Sequence, residues 1–391
     1  MFRILLSLLC ASALALQVLV LAGCGGSASK TTGAGNTPGS GGGSGSGGGT
    51  GTSSDSASAC GSADGTGYGY NNQNGAITGV WLQSPAPGQN PSHVQVNATE
   101  YGPATVSKWM VCLDDQPAYQ TKSAANYISQ GIDIPSGQHL LYARVWDAQG
   151  DSNRSEVKLI QVGPPPASST VLPTPPANAK VLSEMQNDKT NWAICSDCAH
   201  GTNTAGNYWM APFQSKPSLS GSSLEMYADG PQWSNVLFRD TMSGTNSSSH
   251  FLWDFWVYHN PAEEAHFWSS EFDFWQVLGG KEFMIGSQCD YGDGYWSTWD
   301  SQGDRWVLNG IPCPHWGAGW HHVQWYLERI NSTQYRYDTL VLDGKAYGLN
   351  QTWNFNDTTW PDQVGVQYQL DQDPSGTPLH EWVDNVTLTM W

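Results

Sequence analysis

Charge is scarce in this chain. Only 13% of its 391 residues are Asp, Glu, Lys or Arg, about half the ~25% of an ordinary globular protein. Cations are scarcer still: 16 Lys and Arg stand against 34 Asp and Glu, a net charge of −18. That balance excludes nucleic acid and anionic lipid surfaces as partners. The histidines show no HExxH or comparable spacing, and there is no GxSxG elbow, phosphate-binding loop or dinucleotide fingerprint. Zincin, serine-hydrolase, nucleotide and nicotinamide chemistry are thereby set aside. Helical periodicity is almost missing beyond residue 180, which points to strands. After an apolar run at residues 4–21, no other segment reads as a membrane span.

That run follows Arg3 and closes on Leu21-Ala22-Gly23-Cys24. It is short for a membrane span, and small residues lead into the cysteine, as in a cleaved secretory signal. Leu-Ala-Gly-Cys resembles the bacterial lipobox, which implies a signal peptide at 1–23 and an acylated Cys24 that ties the protein to a lipid bilayer. Residues 24–74 are dominated by Gly, Ser and Thr. They bury too little apolar surface to offset ordering entropy and are expected to form a disordered tether. The Gly/Ser/Thr-rich part of it spans roughly 30–35 Å root-mean-square. Gly25 carries no acidic retention signal, which favours the outer membrane and surface display on a bacterial envelope.

Eight cysteines reduce to six once Cys10 is cleaved off and Cys24 is acylated. An even number in an oxidising compartment favours disulfides, although six cysteines allow fifteen pairings. The expected set is Cys60–Cys112, Cys195–Cys198 and Cys289–Cys313. Neither a redox nor a zinc reading of the Cys195/Cys198 pair has support, because no βαβ pattern and no second CxxC accompanies it.

Residues 75–163 show short alternating strands between Gly, Pro and Asn turns, the pattern of a small β-sandwich. Ile134-Pro135-Ser136-Gly137-Gln138-His139 and Ala143-Arg144-Val145-Trp146-Asp147-Ala148-Gln149-Gly150 resemble bacterial immunoglobulin-like and fibronectin III-like modules. The resemblance implies a fold and is silent on function; a spacer is the favoured role, with a binding module as the alternative. Residues 164–179 hold Pro164, Pro165, Pro166, Pro173, Pro175 and Pro176, a semi-rigid linker.

Residues 180–391 carry all of the 20 tryptophans except Trp81, Trp109 and Trp146. Their long alternating runs imply two antiparallel sheets packed face to face, a jelly roll. The whole chain is therefore expected to be all-β. Trp320-His321-His322-Val323 with Leu340-Val341-Leu342-Asp343-Gly344 is similar to a hairpin of concanavalin A-like lectin/glucanase and laminin G-like domains. Trp382-Val383-Asp384-Asn385-Val386 resembles their closing strand.

The candidate site is Glu271-Phe272-Asp273-Phe274-Trp275-Gln276. Side chains alternate along a strand, so Glu271 and Asp273 share a face. The β-glucanases of this superfamily carry E-x-D-x-x-E or E-x-D-x-E there. The resemblance implies Glu271 as nucleophile and Asp273 as the central aspartate, with Gln276 or Trp275 where the acid/base glutamate stands. Neither can protonate a leaving oxygen. Asp254, Glu263 and Glu264 are the candidate substitutes. Phe272 and Phe274, with Val366, Tyr368 and Leu370, are expected in the core. That leaves Glu271, Asp273, Trp275, Gln367, Gln369 and Asp371 on an outward, concave face, joined from the strand beginning at His321 by either His322, Gln324 and Tyr326 or their neighbours, with Gln324 taken as the ligand-binding residue. Gln276 is grouped with them as a ligand-binding residue. Amides, carboxylates and indoles on one face suit a sugar.

The expected partner is thus a neutral polysaccharide. Retaining hydrolysis through Glu271 and a structural or adhesive role are the alternatives. An acid peptidase with a Gln/Glu dyad has no supporting residues. No cofactor is expected, although Asp290 and Asp293 in Cys289-Asp290-Tyr291-Gly292-Asp293-Gly294 offer hard oxygen ligands of the kind calcium takes.

Overall fold

A computed structural model describes residues 60, 79–150, 152–165, 171–196, 203–204, 206–232, 234–243, 247–303 and 305–391. The expected signal peptide, acylated Cys24, Cys198 and all of the expected tether but Cys60 lie outside the described residues. Cys60–Cys112 and Cys289–Cys313 form disulfides as expected. Cys195 is also disulfide-bonded.

The described chain is all-β, interrupted only by two short 3-10 turns. No helix among the described residues is long and apolar enough to cross a membrane. Alternation builds the strands. In His250–His259, Phe251, Trp253, Phe255 and Val257 point inward while Leu252, Asp254, Trp256 and Tyr258 point out. Such strands assemble into three sheets. A three-stranded sheet of Gly79–Ser84, His93–Tyr101 and Tyr127–Asp133 packs Val80, Leu82, Val96 and Ile128 against Trp109, Val111, Leu141 and Val145. Toward the C-terminus, an eight-stranded sheet faces a second sheet across a core that includes Trp253, Trp325, Phe272, Phe274 and Tyr368. Both units are sandwiches.

The second sheet does not stop at the C-terminal sandwich. It runs through Gln363–Gln372, Phe267–Leu278, Lys281–Asp290, Tyr295–Asp300 and Arg305–Pro312, then continues into Val157–Val162 and Gly137–Asp147 of the N-terminal strands. The junction is a short parallel ladder, with Val307 opposite Val157 and Leu308 opposite Lys158. Every residue of Val157–Val162 is buried, as a strand covered on both faces requires.

Two features fasten this junction. Gly88 and Gly310 both have positive φ, and a Cβ at Gly310 would lie 2.6 Å from the Gly88 Cα, so only glycine admits the approach. At the other end of the Gly310 strand Arg305 donates Nη1 and Nη2 to the two carboxylate oxygens of Asp115 at 2.5 and 2.8 Å, and Nε to Asp300 at 2.9 Å. The planar guanidinium suits such a fork.

Candidate functional site

The strand Phe267–Leu278 lies between Lys281–Asp290 and Gln363–Gln372. Its register with Gln363–Gln372 shifts only between Phe267 and Ser269. From there alternation is regular. Phe272 and Phe274 enter the core as expected. Glu271, Asp273 and Trp275 take the opposite face.

Cross-strand pairing then assembles rows. Glu271 stands between Gln369 and Gln288, with Ser297 next beyond Gln288. Asp273 stands between Gln367 and Gly286. Gln369 spends both amide hydrogens on carboxylates, donating at 2.8 Å to Glu271 Oε2 and at 2.8 Å to Asp371 Oδ1. Ser269 Oγ donates to the other oxygen of Asp371 at 2.6 Å. Gln367 donates to Asp273 Oδ2, and the Ser287 backbone N–H donates to Asp273 Oδ1 at 3.2 Å. Neutral amides, rather than cations, hold the carboxylates.

Burial governs their titration. Glu271 is pushed well above the usual carboxylate range, first by desolvation, then by the charges of Asp273 and Asp371, and by a hydrogen bond with Asp273. The same bond lowers Asp273 and raises Glu271. Asp273 and Asp371 are also raised by burial, against the opposing effect of the amide and hydroxyl donors.

Tryptophan closes the face. Gly286 leaves a gap in the Asp273 row. A Cβ there would lie 2.8 Å from Trp299 Cβ, 3.1 Å from Trp306 Cη2 and 3.2 Å from Asp273 Oδ1. Trp299 and Trp306 meet edge to face at 5.2 Å. Trp275 covers Gly365, where a Cβ would sit 2.3 Å from its ring. Glu271 is left 6% exposed and Asp273 2%. Among the described residues, Ser297 Oγ, Trp275 Nε1 and Trp299 Nε1 are buried with no hydrogen-bond partner. Unsatisfied buried donors are uncommon and call for a reason. These three sit on the same face as the carboxylates, while Trp296 Nε1 and Trp325 Nε1 are likewise without a partner in the core.

The structure corrects two expectations about position. Gln276 shares the inward side of Phe272 and Phe274, donates to Ser248 O at 3.1 Å and accepts from Arg329 Nε at 3.1 Å. With no bulge after Asp273, the next outward position belongs to Trp275, so Gln276 occupies no acid/base position. Gln324 is on the other sheet. Its neighbours Val323 and Trp325 are core, so it faces out on the far side of the sandwich and donates to Asp254 Oδ2 at 2.6 Å. Asp254 is therefore remote from Glu271 as well. Glu263 contacts His380, and Glu264 contacts His315 and the Gly317 N–H. Neither has a contact with the Glu271 row among those described.

Sequence reasoning misses Gln288, Ser297, Gly286, Trp299 and Trp306. The available signal is a lone glycine inside the strand Lys281–Asp290, which marks a close approach by another group. Asp290 accepts the Asp293 N–H at 3.0 Å and, through its carbonyl, the Gly294 N–H at 2.8 Å, a self-closed turn. Among the described residues no group of three or more His, Cys, Asp or Glu is placed to hold a metal. A second buried polar group, His259 with Glu381 and Ser270, lies inside the core. Both partners meet the same nitrogen, Nε2, so it does not form a nucleophile relay, in which the acid and the nucleophile use opposite ring nitrogens.

All these elements define an all-β sandwich protein with a carboxylate–amide–tryptophan site on one sheet. No family model matches the chain, and no curated protein matches it. Solved structures with similar folds include an endo-1,3-β-glucanase from Streptomyces sioyaensis, at 14% identity over 56% of this chain and 99% of that one, with a TM-score of 0.32. A mannan-recognising carbohydrate-binding module, TmCBM27, aligns at 10% identity over 55% and 96%, TM-score 0.26. Lectin UEA-II complexed with galactose aligns at 9% identity over 55% and 98%, TM-score 0.29. TM-scores this low carry no functional weight.

Proposed function

We propose that the chain binds a neutral polysaccharide on the Glu271 face of its C-terminal sandwich, which we read as concanavalin A-like. We further propose that Cys24 is acylated and holds the protein on a bacterial envelope, with an immunoglobulin-like unit between tether and sandwich. One observation carries the binding reading. Carboxylates laced by Gln367 and Gln369 share a face with Trp299, Trp306 and the partnerless donors Ser297 Oγ and Trp299 Nε1. A sugar hydroxyl that gains access to this nearly closed face, where Trp299 is 3% and Trp306 2% exposed, offers what it lacks: oxygens for the donors and hydrogens for the carboxylates. The net charge of −18 disfavours polyanions.

The test is retardation in native gels containing laminarin, mixed-linkage β-glucan, xylan or galactomannan. The parent is expected to be retarded by at least one polymer, and Trp299→Ala and Glu271→Gln to be retarded less. Equal retardation of all three proteins would place binding elsewhere.

Retaining hydrolysis is the second reading, and the hydrogen-bonded Glu271–Asp273 pair favours it, since environments that separate two carboxyl groups assign acid and base roles. Against it, Trp275 fills the next outward position, where the strand would present an acid/base residue. Release of reducing ends by the parent and not by Glu271→Gln would establish hydrolysis instead.

A further inference from the structure

The three-stranded N-terminal sheet buries one face and leaves the other to solvent, and that outer face carries three large aromatic side chains. Trp81 is 42% exposed, Tyr101 44% and Tyr127 61%. Trp81 lies opposite Thr99, and Thr99 opposite Tyr127, so the two rings flank a threonine in one cross-strand row. Tyr101 is two residues along from Thr99 and thus on the same face, with its ring 6.5 Å from that of Trp81.

The remaining outward positions include Gln83, Gln95, Asn97 and Ser129, with Gly131 opposite Gln95 and Ser84 opposite Asn97. Gln95 Nε2 donates to Ser129 Oγ at 3.0 Å, and Ser129 Oγ donates to Asn97 Oδ1 at 2.8 Å. Among the described outward positions of these three strands, charge stands at the far end, in the His93–Asp133 pair, while Glu156 acts on Tyr101 from outside the sheet. The chain has 34 acidic residues, yet none stands among the aromatic and amide positions of this face.

We propose that this face is a second polysaccharide-binding site, a platform for an extended chain of neutral sugars. Trp81 and Tyr127 are separated by two strand spacings, about 10 Å, the length over which a disaccharide of an extended β-linked chain lies. Exposed rings cover the C–H faces of pyranoses, and the amide row beside them meets hydroxyls with paired donors and acceptors. A charged ligand finds no counter-ion among these residues. The face measures about 14 by 20 Å, well short of the roughly 800 Å² that each partner buries in a stable protein interface. An oligosaccharide fits that area.

The site stands apart from the Glu271 face and does not depend on it. If both hold one polymer, the second contact is intramolecular and retention rises through effective concentration.

The experiment is depletion of the full chain from solution by microcrystalline cellulose, chitin, curdlan and insoluble mannan. Four proteins are compared: the parent, Trp81→Ala/Tyr127→Ala, Trp81→Phe/Tyr127→Phe and Glu271→Gln. The parent is expected to be depleted by at least one polymer. The alanine pair should bind it at least tenfold more weakly, while the phenylalanine pair stays within about threefold of the parent. All the substituted N-terminal side chains are exposed, and an unchanged thermal midpoint confirms that the fold is intact. Depletion of the alanine pair equal to the parent's overturns the proposal, as does a parent that none of the four polymers removes. Retention lost only in Glu271→Gln also overturns it while supporting the C-terminal site. Retention lost only in the alanine pair does the reverse.

Discussion

Glu271 sits beside two other carboxylates in a place that water barely reaches, and this arrangement opposes folding whenever all three are ionised. Glutamine has nearly the same shape. At position 271 its carbonyl can accept from Gln369 and its amide can donate to Asp273, so Glu271→Gln keeps the hydrogen bonds and removes the charge problem. The sign follows from the raised proton affinity of Glu271 in the folded state. Between its unfolded pKa and its folded one, the native state holds a proton that the unfolded state has released. Stability therefore falls as pH rises through that interval. The penalty that glutamine removes is that of a buried polar group short of adequate partners, about 1–3 kcal/mol. Glu271→Gln is expected to raise stability at pH 8 by that amount and to leave it nearly unchanged at pH 4, where the parent side chain is already neutral. Urea unfolding followed by tryptophan fluorescence at both pH values measures this. The same variant should lose polysaccharide retention. A gain in stability coupled to a loss of binding is the mark of a strained functional group. A variant less stable than the parent at pH 8, or a gain of equal size at pH 4, would refute the raised proton affinity of Glu271.

Three further outcomes follow from the packing. Gly286→Ala brings a methyl group into contact with Trp299, Trp306 and Asp273 and should destabilise by about 1–3 kcal/mol through overpacking, with weakened retention in the gel assay. Arg305→Met strips the charge partner from Asp300, which is buried, and from Asp115 across the junction. A loss of about 3 kcal/mol at pH 7 is expected, together with faster proteolysis in residues 79–165, and a variant as stable and resistant as the parent would mean that the junction is held by the ladder alone. Asp240 is buried at 1% exposure, its Oδ1 has no partner, and burial followed by the charge of Asp188 lifts it to about 7. Its stabilising contribution is present below the unfolded pKa and lost as pH rises through 7. Asp240→Asn should therefore gain about 1–3 kcal/mol at pH 8 and little at pH 4 in urea unfolding.

Much of the fold is legible because period-two alternation is a local signal. Spacing alone assigns Phe272, Phe274, Val366, Tyr368 and Leu370 to the core, and all five are fully or almost fully buried. It groups Glu271, Asp273, Gln367 and Gln369 for the same reason, and cross-strand pairing brings them together. Gln324 is misplaced by such reasoning because alternation says which residues of one strand share a face and not which sheet the strand joins. The error at Gln276 has a different source. A bulge after Asp273 would have turned it outward, and a bulge is one extra residue that depends on the partner strands. The parallel junction at Val157 and Val307 joins residues 150 positions apart, and no local pattern encodes such a pairing. Gly286 is readable as a gap in a strand, but its neighbours Trp299 and Trp306 come from two other strands.

Calorimetric titration of the parent and Glu271→Gln with the hexasaccharides of β-1,4-glucose, β-1,3-glucose, β-1,4-mannose and β-1,4-xylose tests the central claim most directly. A carboxylate–amide–tryptophan face that holds neutral sugars predicts saturable heat with at least one of the four for the parent, and binding at least tenfold weaker for the variant. Equal affinity in the two proteins, or no heat from any hexasaccharide, would contradict a sugar site at Glu271.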